Sequence, residues 1–266
     1  MRWSCRGCEG WIHRVVDVIA GRIYSKCSRC GLIYLVTESS RHTYEADYFE
    51  DEYRRVYGRT YLEDFTSIQA AARPRLDIIE VVGGKLRGRL LLDVGCAYGP
   101  FLLAARQRGA AATGVEVSHV AAQHVKLLRF PVYVGRFEDY PLETVDVLTM
   151  WYTVEHFPNL REVLEKVAAM VRPGGVFAFS TPTYRGISGR RDLGSFLQAG
   201  APDHYTVWCP EAARRLLNDV GFDIKRVRVT GHHGDRWPIP VPNWISKVTG
   251  LGDTFEVYGI KQRGNE

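Results

Sequence analysis

Four of the six cysteines lie within the first 30 residues and form two pairs of identical spacing. Two residues separate Cys5 from Cys8 and Cys27 from Cys30, and eighteen residues lie between the pairs. Two such turns can aim four sulfur atoms at one ion, which predicts a structural zinc site with a filled coordination sphere. Glycines at positions 7, 10 and 31 are predicted to support the turns. Two disulfides or free thiols are the alternative.

A second group of candidate residues begins with Asp93, which follows an apolar run. Gly95 and Gly99 follow in a turn, where they let the backbone approach a ligand closely. Glu116 ends the next apolar run, and a carboxylate there can accept hydrogen bonds from both hydroxyls of a ribose. A dinucleotide fingerprint needs three glycines, but alanine and proline occupy two of the three positions. The pattern therefore indicates a nucleoside site without a pyrophosphate cradle.

Alternating apolar runs and helical patterns must position these residues. Candidate strands are 90–94, 112–117, 132–135, 145–150 and 175–180, and candidate helices are 66–82, 100–108, 118–128, 159–171 and 210–219. This alternation predicts a parallel α/β sheet that binds ligands at the carboxyl ends of its strands. In the cysteine-rich segment, short β-prone runs at 15–19, 23–24 and 32–36 predict a hairpin and a third strand.

Five segments carry a resemblance to a known family. They read LLDVGCAYG (91–99), GVEVS (114–118), FEDYP (137–141), DVLTMWYTVEHFPN (146–159) and VRPGGVFAFSTP (171–182). With them, the chain from about residue 66 to 262 resembles the class I S-adenosylmethionine-dependent methyltransferases. The resemblance implies a doubly wound, Rossmann-like sheet of seven strands, with its last hairpin formed by 222–230 and 254–261. It implies S-adenosylmethionine as the cofactor.

The resemblance also implies roles for individual residues. Asp93, Gly95 and Cys96 would lie near the methionine part of the cofactor, with Gly99 in the same turn. The remaining predicted cofactor contacts are Glu116 at the ribose, Val117, Arg136 and Phe137 at the adenine, and Trp151 at the sulfonium.

The order of segments resembles a bacterial subgroup of these enzymes. A ribbon-like zinc domain is expected at 1–38, an aromatic-rich connector or lid at 39–84, and the methyltransferase domain at 85–266. Many members of the subgroup modify sugars, glycans or secondary metabolites, so the resemblance implies a small-molecule or glycan acceptor. Residues 183–201 contain several arginines and glycines and predict a mobile loop, which would suit an anionic acceptor.

Methyl transfer to oxygen often requires a base, and histidine has a suitable pKa. His156 follows the fourth strand of the predicted sheet, and His204 lies beyond the fifth. Both are predicted catalytic bases, with packing of the Glu155–His156 pair as the alternative for His156. A methyltransferase-like scaffold subunit without activity is a further alternative. The cofactor turn and Glu116 argue against it.

Charge and composition limit the choice of partner. The net charge of +5 permits nucleic acid, so an RNA methyltransferase that binds RNA through its ribbon is an alternative. No apolar run is long enough to span a bilayer, and no apolar leader follows Met1, which predicts a cytoplasmic, reducing location. The oligomeric state is not determined by these patterns.

Overall fold

A computed structural model describes residues 4–11, 13–19, 21–37, 53–54, 58–231 and 249–263. Much of the aromatic connector predicted at 39–84 lies outside these residues. Contacts group the chain into two compact units, one of residues 1–41, 152–165 and 179–257 and the other of 42–151, 166–178 and 258–266. The domain boundaries predicted at 38 and 84 stay predictions.

Eleven strands and seven helices follow one another within the described residues. In chain order they are β1 (His13–Ile19), β2 (Arg22–Cys27), β3 (Ile33–Leu35), α1 (Tyr61–Gly83), β4 (Leu90–Val94), α2 (Pro100–Gln107), β5 (Ala111–Glu116), α3 (His119–Leu127), β6 (Val132–Val134), β7 (Val145–Trp151), α4 (Leu160–Met170), β8 (Val171–Pro182), α5 (Ile187–Arg191), α6 (Leu193–Ala199), β9 (Thr206–Val207), α7 (Pro210–Asp219), β10 (Phe222–Thr230) and β11 (Thr254–Lys261). Two 3₁₀ turns span Phe137–Asp139 and Val154–His156.

The large sheet has seven strands in the order β10-β11-β8-β7-β4-β5-β6. Strand β4 pairs in parallel with β5 on one side and β7 on the other, and β5 pairs in parallel with β6. The central strands are mainly apolar because both of their faces are covered, as the buried Leu91, Leu92, Val147 and Leu148 illustrate. The predicted Rossmann-like α/β fold is confirmed.

Helix α1 begins at Tyr61, five residues before the predicted start. Thr60 and Glu63 form a capping box, in which each side chain satisfies the other residue's backbone N–H. Leu76 and Ile79 on this helix are fully buried. Pro74 is accommodated inside the helix on its exposed side.

The small sheet has the order β1-β2-β3-β9. Its first three strands come from the cysteine-rich segment and pair antiparallel, which confirms the predicted ribbon-like sheet. Its fourth strand was not predicted: Ile33 and Tyr34 pair with Val207 and Thr206 of β9. The ribbon sheet is therefore completed by a strand from a distant part of the chain.

Residues 183–201 do not form the predicted loop. They form helices α5 and α6, and the side chain of Asp253 accepts hydrogen bonds from the backbone and hydroxyl of Ser188 at the start of α5. Gly186 packs so closely that a Cβ there would lie 2.3 Å from Oδ1 of Asp253. The glycines that suggested a loop serve close packing instead. No helix among the described residues has both the length and the apolar character needed to cross a bilayer.

Candidate functional site

The turn after β4 combines three residues with positive φ angles. Gly95 has φ 73°, Ala97 has φ 48°, and Gly99 has φ 86° at the position before helix α2. No side chain caps the start of α2, and Pro100 occupies its first turn. Left-handed backbone favours glycine, so the two glycines are required by the turn, whereas Ala97 must be held in place by its surroundings.

Glu116 supplies that support. Its side chain is 5% exposed, and its carboxylate accepts hydrogen bonds from the backbone N–H of Ala97 at 2.8 Å and of Ser118 at 2.9 Å. These two hydrogen bonds fix the carboxylate at the end of β5, and its role at a ribose stays a prediction.

Asp93 is buried beside Thr149, whose hydroxyl donates a 2.6 Å hydrogen bond to Oδ1 of Asp93. Burial raises the pKa of Asp93 to about 7, although the hydrogen bond and the charge of Arg75 act in the opposite direction. A cationic ligand near this carboxyl group would favour its ionised form. That property fits the predicted position beside the charged methionine part of the cofactor.

Trp151, the last residue of β7, lies in an aromatic and cationic environment. Its ring centroid is 5.1 Å from that of Phe101 and 6.3 Å from that of Tyr258. The guanidinium carbon of Arg75 lies 4.4 Å from the centroid of the same ring. Arg75 was not among the predicted site residues, because its place on helix α1 carries no motif.

Cys96 and Gly114 form a close contact between the turn and β5. A Cβ at position 114 would come within 2.5 Å of the Cys96 sulfur atom. Burial raises the pKa of Cys96, so this residue is a neutral thiol and a packing group.

The predicted adenine contacts differ in accessibility. The side chain of Val117 is 43% exposed, and Arg136 forms an ion pair with Glu138. Phe137 is only 2% exposed, and the Lys166 ammonium lies 5.3 Å from its ring centroid. Val117 thus offers surface to a ligand, whereas Phe137 belongs to the core. Their roles at the adenine stay predictions.

The four N-terminal cysteines converge as predicted. Their sulfur atoms all lie within 4.8 Å of one another, with Cys5 and Cys30 at 3.6 Å and Cys8 and Cys27 at 3.5 Å. Four sulfurs at about 2.3 Å from a tetrahedral zinc ion are about 3.8 Å apart, so the cluster has nearly the required size. The hydrogen bond between Cys5 and Cys30 lowers the pKa of Cys5 and raises that of Cys30, so these two sulfur atoms share one proton. The buried cluster suits zinc.

The two cysteine turns share one hydrogen-bonding pattern. The Cys5 N–H donates to Gly10 and the Cys5 carbonyl accepts from Glu9, and Cys27 does the same with Leu32 and Gly31. Glu9 and Gly31 occupy the equivalent left-handed positions, with φ of 55° and 85°. Gly31 thus supports its turn as predicted, whereas Glu9, rather than Gly7 or Gly10, has that conformation in the first.

The two predicted catalytic histidines lie together. Their ring centroids are 4.8 Å apart with the rings nearly perpendicular, and Nδ1 of His156 lies 3.0 Å from Oδ2 of the buried Asp203. No role was predicted for Asp203 from the sequence, although it directly precedes His204. Glu155, also buried, completes the cluster, and one ligand atom each from Glu155, His156 and His204 lies within 4.8 Å of the others.

The cluster shifts the pKa values of its members in different directions. Burial lowers the pKa of His204 to about 3, helped by the charge of His156. Burial also acts to lower the pKa of His156, but the hydrogen bond and negative charge of Asp203 outweigh it and raise the value. Burial raises the pKa of Glu155 to about 7. The two imidazoles therefore differ in proton affinity, with the pKa of His156 raised and that of His204 lowered.

Comparison with known proteins shows what the chain resembles. A family profile described as a methyltransferase domain matches residues 69–227, more than half of the chain. The ubiquinone biosynthesis O-methyltransferase of Aeromonas salmonicida is 32% identical over 57% of this chain and 70% of that protein. The protein of the same name from Bordetella avium is 33% identical over 44% of this chain, and the match spans about half, 53%, of its length.

Solved structures show the same fold. A structure described as an S-adenosylmethionine-dependent methyltransferase from Archaeoglobus fulgidus matches with a TM-score of 0.59 at 16% identity. The match covers 81% of this chain and all of that one.

Proposed function

Because the chain belongs to the methyltransferase-domain family and is an S-adenosylmethionine-dependent methyltransferase, we propose that it methylates a hydroxyl oxygen of a small acceptor. Two relatives named as O-methyltransferases support the choice of oxygen. The observation that carries the proposal is the contact between His156 and Asp203, because a carboxylate-oriented imidazole is the arrangement expected of a base that deprotonates a hydroxyl.

His156 acts as the base in this proposal. The Nδ1–H of His156 donates to Asp203, Nε2 takes the proton of the acceptor hydroxyl, and Asp203 stabilises the imidazolium that forms. His204 stays neutral in its half-buried position, where it can accept or donate one hydrogen bond. When bound, S-adenosylmethionine supplies an electrophilic methyl group on a cationic sulfur.

The cofactor is proposed to bind at the turn after β4. Glu116 would hold the ribose, since its carboxylate is already oriented by Ala97 and Ser118. Asp93 would face the positive charge of the methionine part, with Trp151 near the sulfonium. Gly95, Gly99 and Cys96 would shape the turn, and Val117, Arg136 and Phe137 would border the adenine.

Zinc is proposed at Cys5, Cys8, Cys27 and Cys30. The sulfur distances and the burial of all four cysteines support a tetrahedral structural ion. Such an ion contributes folding free energy that a segment of about thirty residues lacks on its own.

The acceptor class is proposed from the subgroup that the sequence resembles, in which sugars, glycans and other metabolites are modified. An anionic acceptor has less support, because two of the arginines that suggested it have partners within the protein. Arg185 lies near Glu211, and Arg190 donates a hydrogen bond to the carbonyl of Arg185. Methyl transfer to RNA would replace this proposal if the acceptor screen identified RNA.

The test begins with calorimetric titration of the zinc-loaded protein with S-adenosylmethionine. We expect binding by the wild type, loss of at least tenfold in affinity for Glu116→Ala, and no change for Glu162→Ala, an exposed control on α4. Acceptors are then screened by mass spectrometry for a gain of one methyl group, with sugar and metabolite hydroxyls before RNA. Methylation of nitrogen or carbon, or of RNA alone, would contradict the proposal.

A further inference from the structure

The ribbon and the histidine cluster share one hydrogen-bonded ring. The backbone N–H of Tyr205 donates to the carbonyl of Glu155 at 2.9 Å, and the N–H of Leu35 donates to the carbonyl of Tyr205 at 2.9 Å. Arg6 continues the ring: its Nε donates to the carbonyl of Leu35 at 2.8 Å and its Nη1 to the carbonyl of Pro158 at 2.6 Å. Pro158 follows Glu155 by three residues, so the chain itself closes the ring.

Arg6 is the one side chain in this ring, and both histidines adjoin it. His156 lies between Glu155 and Pro158 in the chain, and His204 directly precedes Tyr205. The Arg6 guanidinium also lies 5.4 Å from the centroid of the Tyr205 ring.

The position of Arg6 ties the ring to the cysteines. It lies between Cys5 and Cys8, within the first cysteine turn, and its carbonyl accepts a 2.9 Å hydrogen bond from the backbone of Arg161. A closed zinc site would fix this turn and therefore the base of the arginine side chain. A guanidinium can donate to two carbonyls in fixed directions, which an ammonium group does not reproduce.

We propose that Arg6 is a positioning residue, which couples the cysteine turn to the arrangement of His156 and His204. Through Pro158 it sets the segment that carries His156, and through Leu35 and Tyr205 it sets the segment that carries His204. The cysteine site thereby has a role in organising the histidine pair in addition to stabilising the ribbon. This role deepens the proposed function and rests on it for its catalytic consequence, but the structural coupling does not depend on the reaction.

Hydrogen exchange tests the coupling without reference to activity. In Arg6→Ala, two carbonyls lose their donor, and we expect the amides of Tyr205 and Leu35 to exchange about tenfold faster than in the wild type. Arg6→Lys should give an intermediate rate. Arg14→Ala, which removes an exposed arginine from the same ribbon, should leave both amides unchanged. Zinc content, measured in every variant, should stay equal because Arg6 is not a ligand.

Imidazole resonances distinguish positioning from simple attachment of the ribbon. In the wild type, the groups that set the charge around the two rings are Asp203, Glu155 and Arg22, as well as the rings themselves. Nitrogen-detected NMR should show both His156 and His204 displaced in Arg6→Ala and partly restored in Arg6→Lys. If Arg6→Ala retained zinc and wild-type imidazole spectra and exchange rates, the proposal would be wrong.

Kinetics separate this inference from the proposed function. We expect kcat to fall about a hundredfold in Arg6→Ala with the cofactor affinity unchanged, as for a misplacement of about 1 Å. An unchanged kcat in an enzyme that methylates oxygen would overturn the catalytic part of the inference. Absence of O-methylation by the wild type would instead overturn the proposed function, and the exchange and NMR results would still decide whether Arg6 couples the two elements.

Discussion

The Nδ1 atom of His156 lies 3.0 Å from Oδ2 of Asp203, a contact between residues that are far apart in the chain. The contact explains why the pKa of His156 is raised although its burial acts to lower it. Asp203→Asn should remove the negative charge and lower the pKa of His156. Because general-base catalysis contributes about 10²–10⁴-fold, we expect kcat to fall by about 10²-fold and the pH profile to move to lower pH.

The control for this prediction is Asp219→Asn, an exposed carboxyl at the end of α7. Cofactor affinity, measured by calorimetry, should be unchanged in both variants. If the Asp203→Asn enzyme had the wild-type kcat and pH profile, His156 would not be the base.

The charge of Asp93 should affect the stability of the protein and cofactor binding in opposite directions. Its pKa in the folded protein is about 7, above its ordinary value of 3.8. Between these values the folded protein keeps a proton that the unfolded chain releases, so this group makes the free energy of unfolding fall as pH rises from about 4 to 7. Asp93→Asn keeps an acceptor for the Thr149 hydroxyl and should raise the melting temperature at pH 8 but not at pH 4.

The same substitution should weaken cofactor binding. Ionised Asp93 attracts a cationic ligand, so wild-type affinity for S-adenosylmethionine should increase as pH rises through about 7, and Asp93→Asn should remove that dependence. Calorimetry at pH 6 and pH 8 measures both effects. Equal pH dependence in the two proteins would contradict a role for Asp93 at the charged part of the cofactor.

The sequence predicted the elements that a local pattern specifies. The buried strands lie at the expected positions, and the four cysteines converge as their spacing predicted. Helices α2, α3, α4 and α7 end within two residues of their predicted ends. Strand β9 and Asp203 were missed because their roles depend on partners distant in the chain: Thr206 and Val207 pair with the ribbon, and Asp203 contacts His156. Arg6 has no predicted role for the same reason, because its partners Leu35 and Pro158 are distant in the chain.

Glycine misled the sequence analysis in both units. Between residues 183 and 201 the glycines indicated a loop, but Gly186 and Gly189 allow close packing around helix α5. In the first cysteine turn, Gly7 lies against Leu216, where a Cβ would come within 2.8 Å, and Glu9 has the left-handed conformation. Composition alone does not distinguish a glycine needed for its φ angle from one needed for its size.

Metal analysis tests the cysteine site. We expect one zinc ion per chain in the wild type and loss of that ion, with a lower melting temperature, in Cys27→Ser. Cys209→Ser is the matched control, since the Cys209 sulfur accepts a hydrogen bond at the start of α7 and serine is a favoured residue there. A metal ion retained by Cys27→Ser would contradict the assignment and direct attention to Glu155, His156 and His204.

The two histidines should titrate far apart. Because burial lowers the pKa of His204 to about 3, this ring should stay neutral above about pH 3, while His156 protonates above the ordinary histidine value. The unfolded chain binds a proton at His204 near pH 6.5, so this residue makes stability fall as pH decreases from about 6.5 to 3. In His156→Gln the nearby positive charge is lost, and the pKa of His204 should rise but stay below its ordinary value because burial remains. Titration by nitrogen-detected NMR measures the pKa of both rings. If His204 protonated at the same pH as His156, the predicted separation of their pKa values would be wrong.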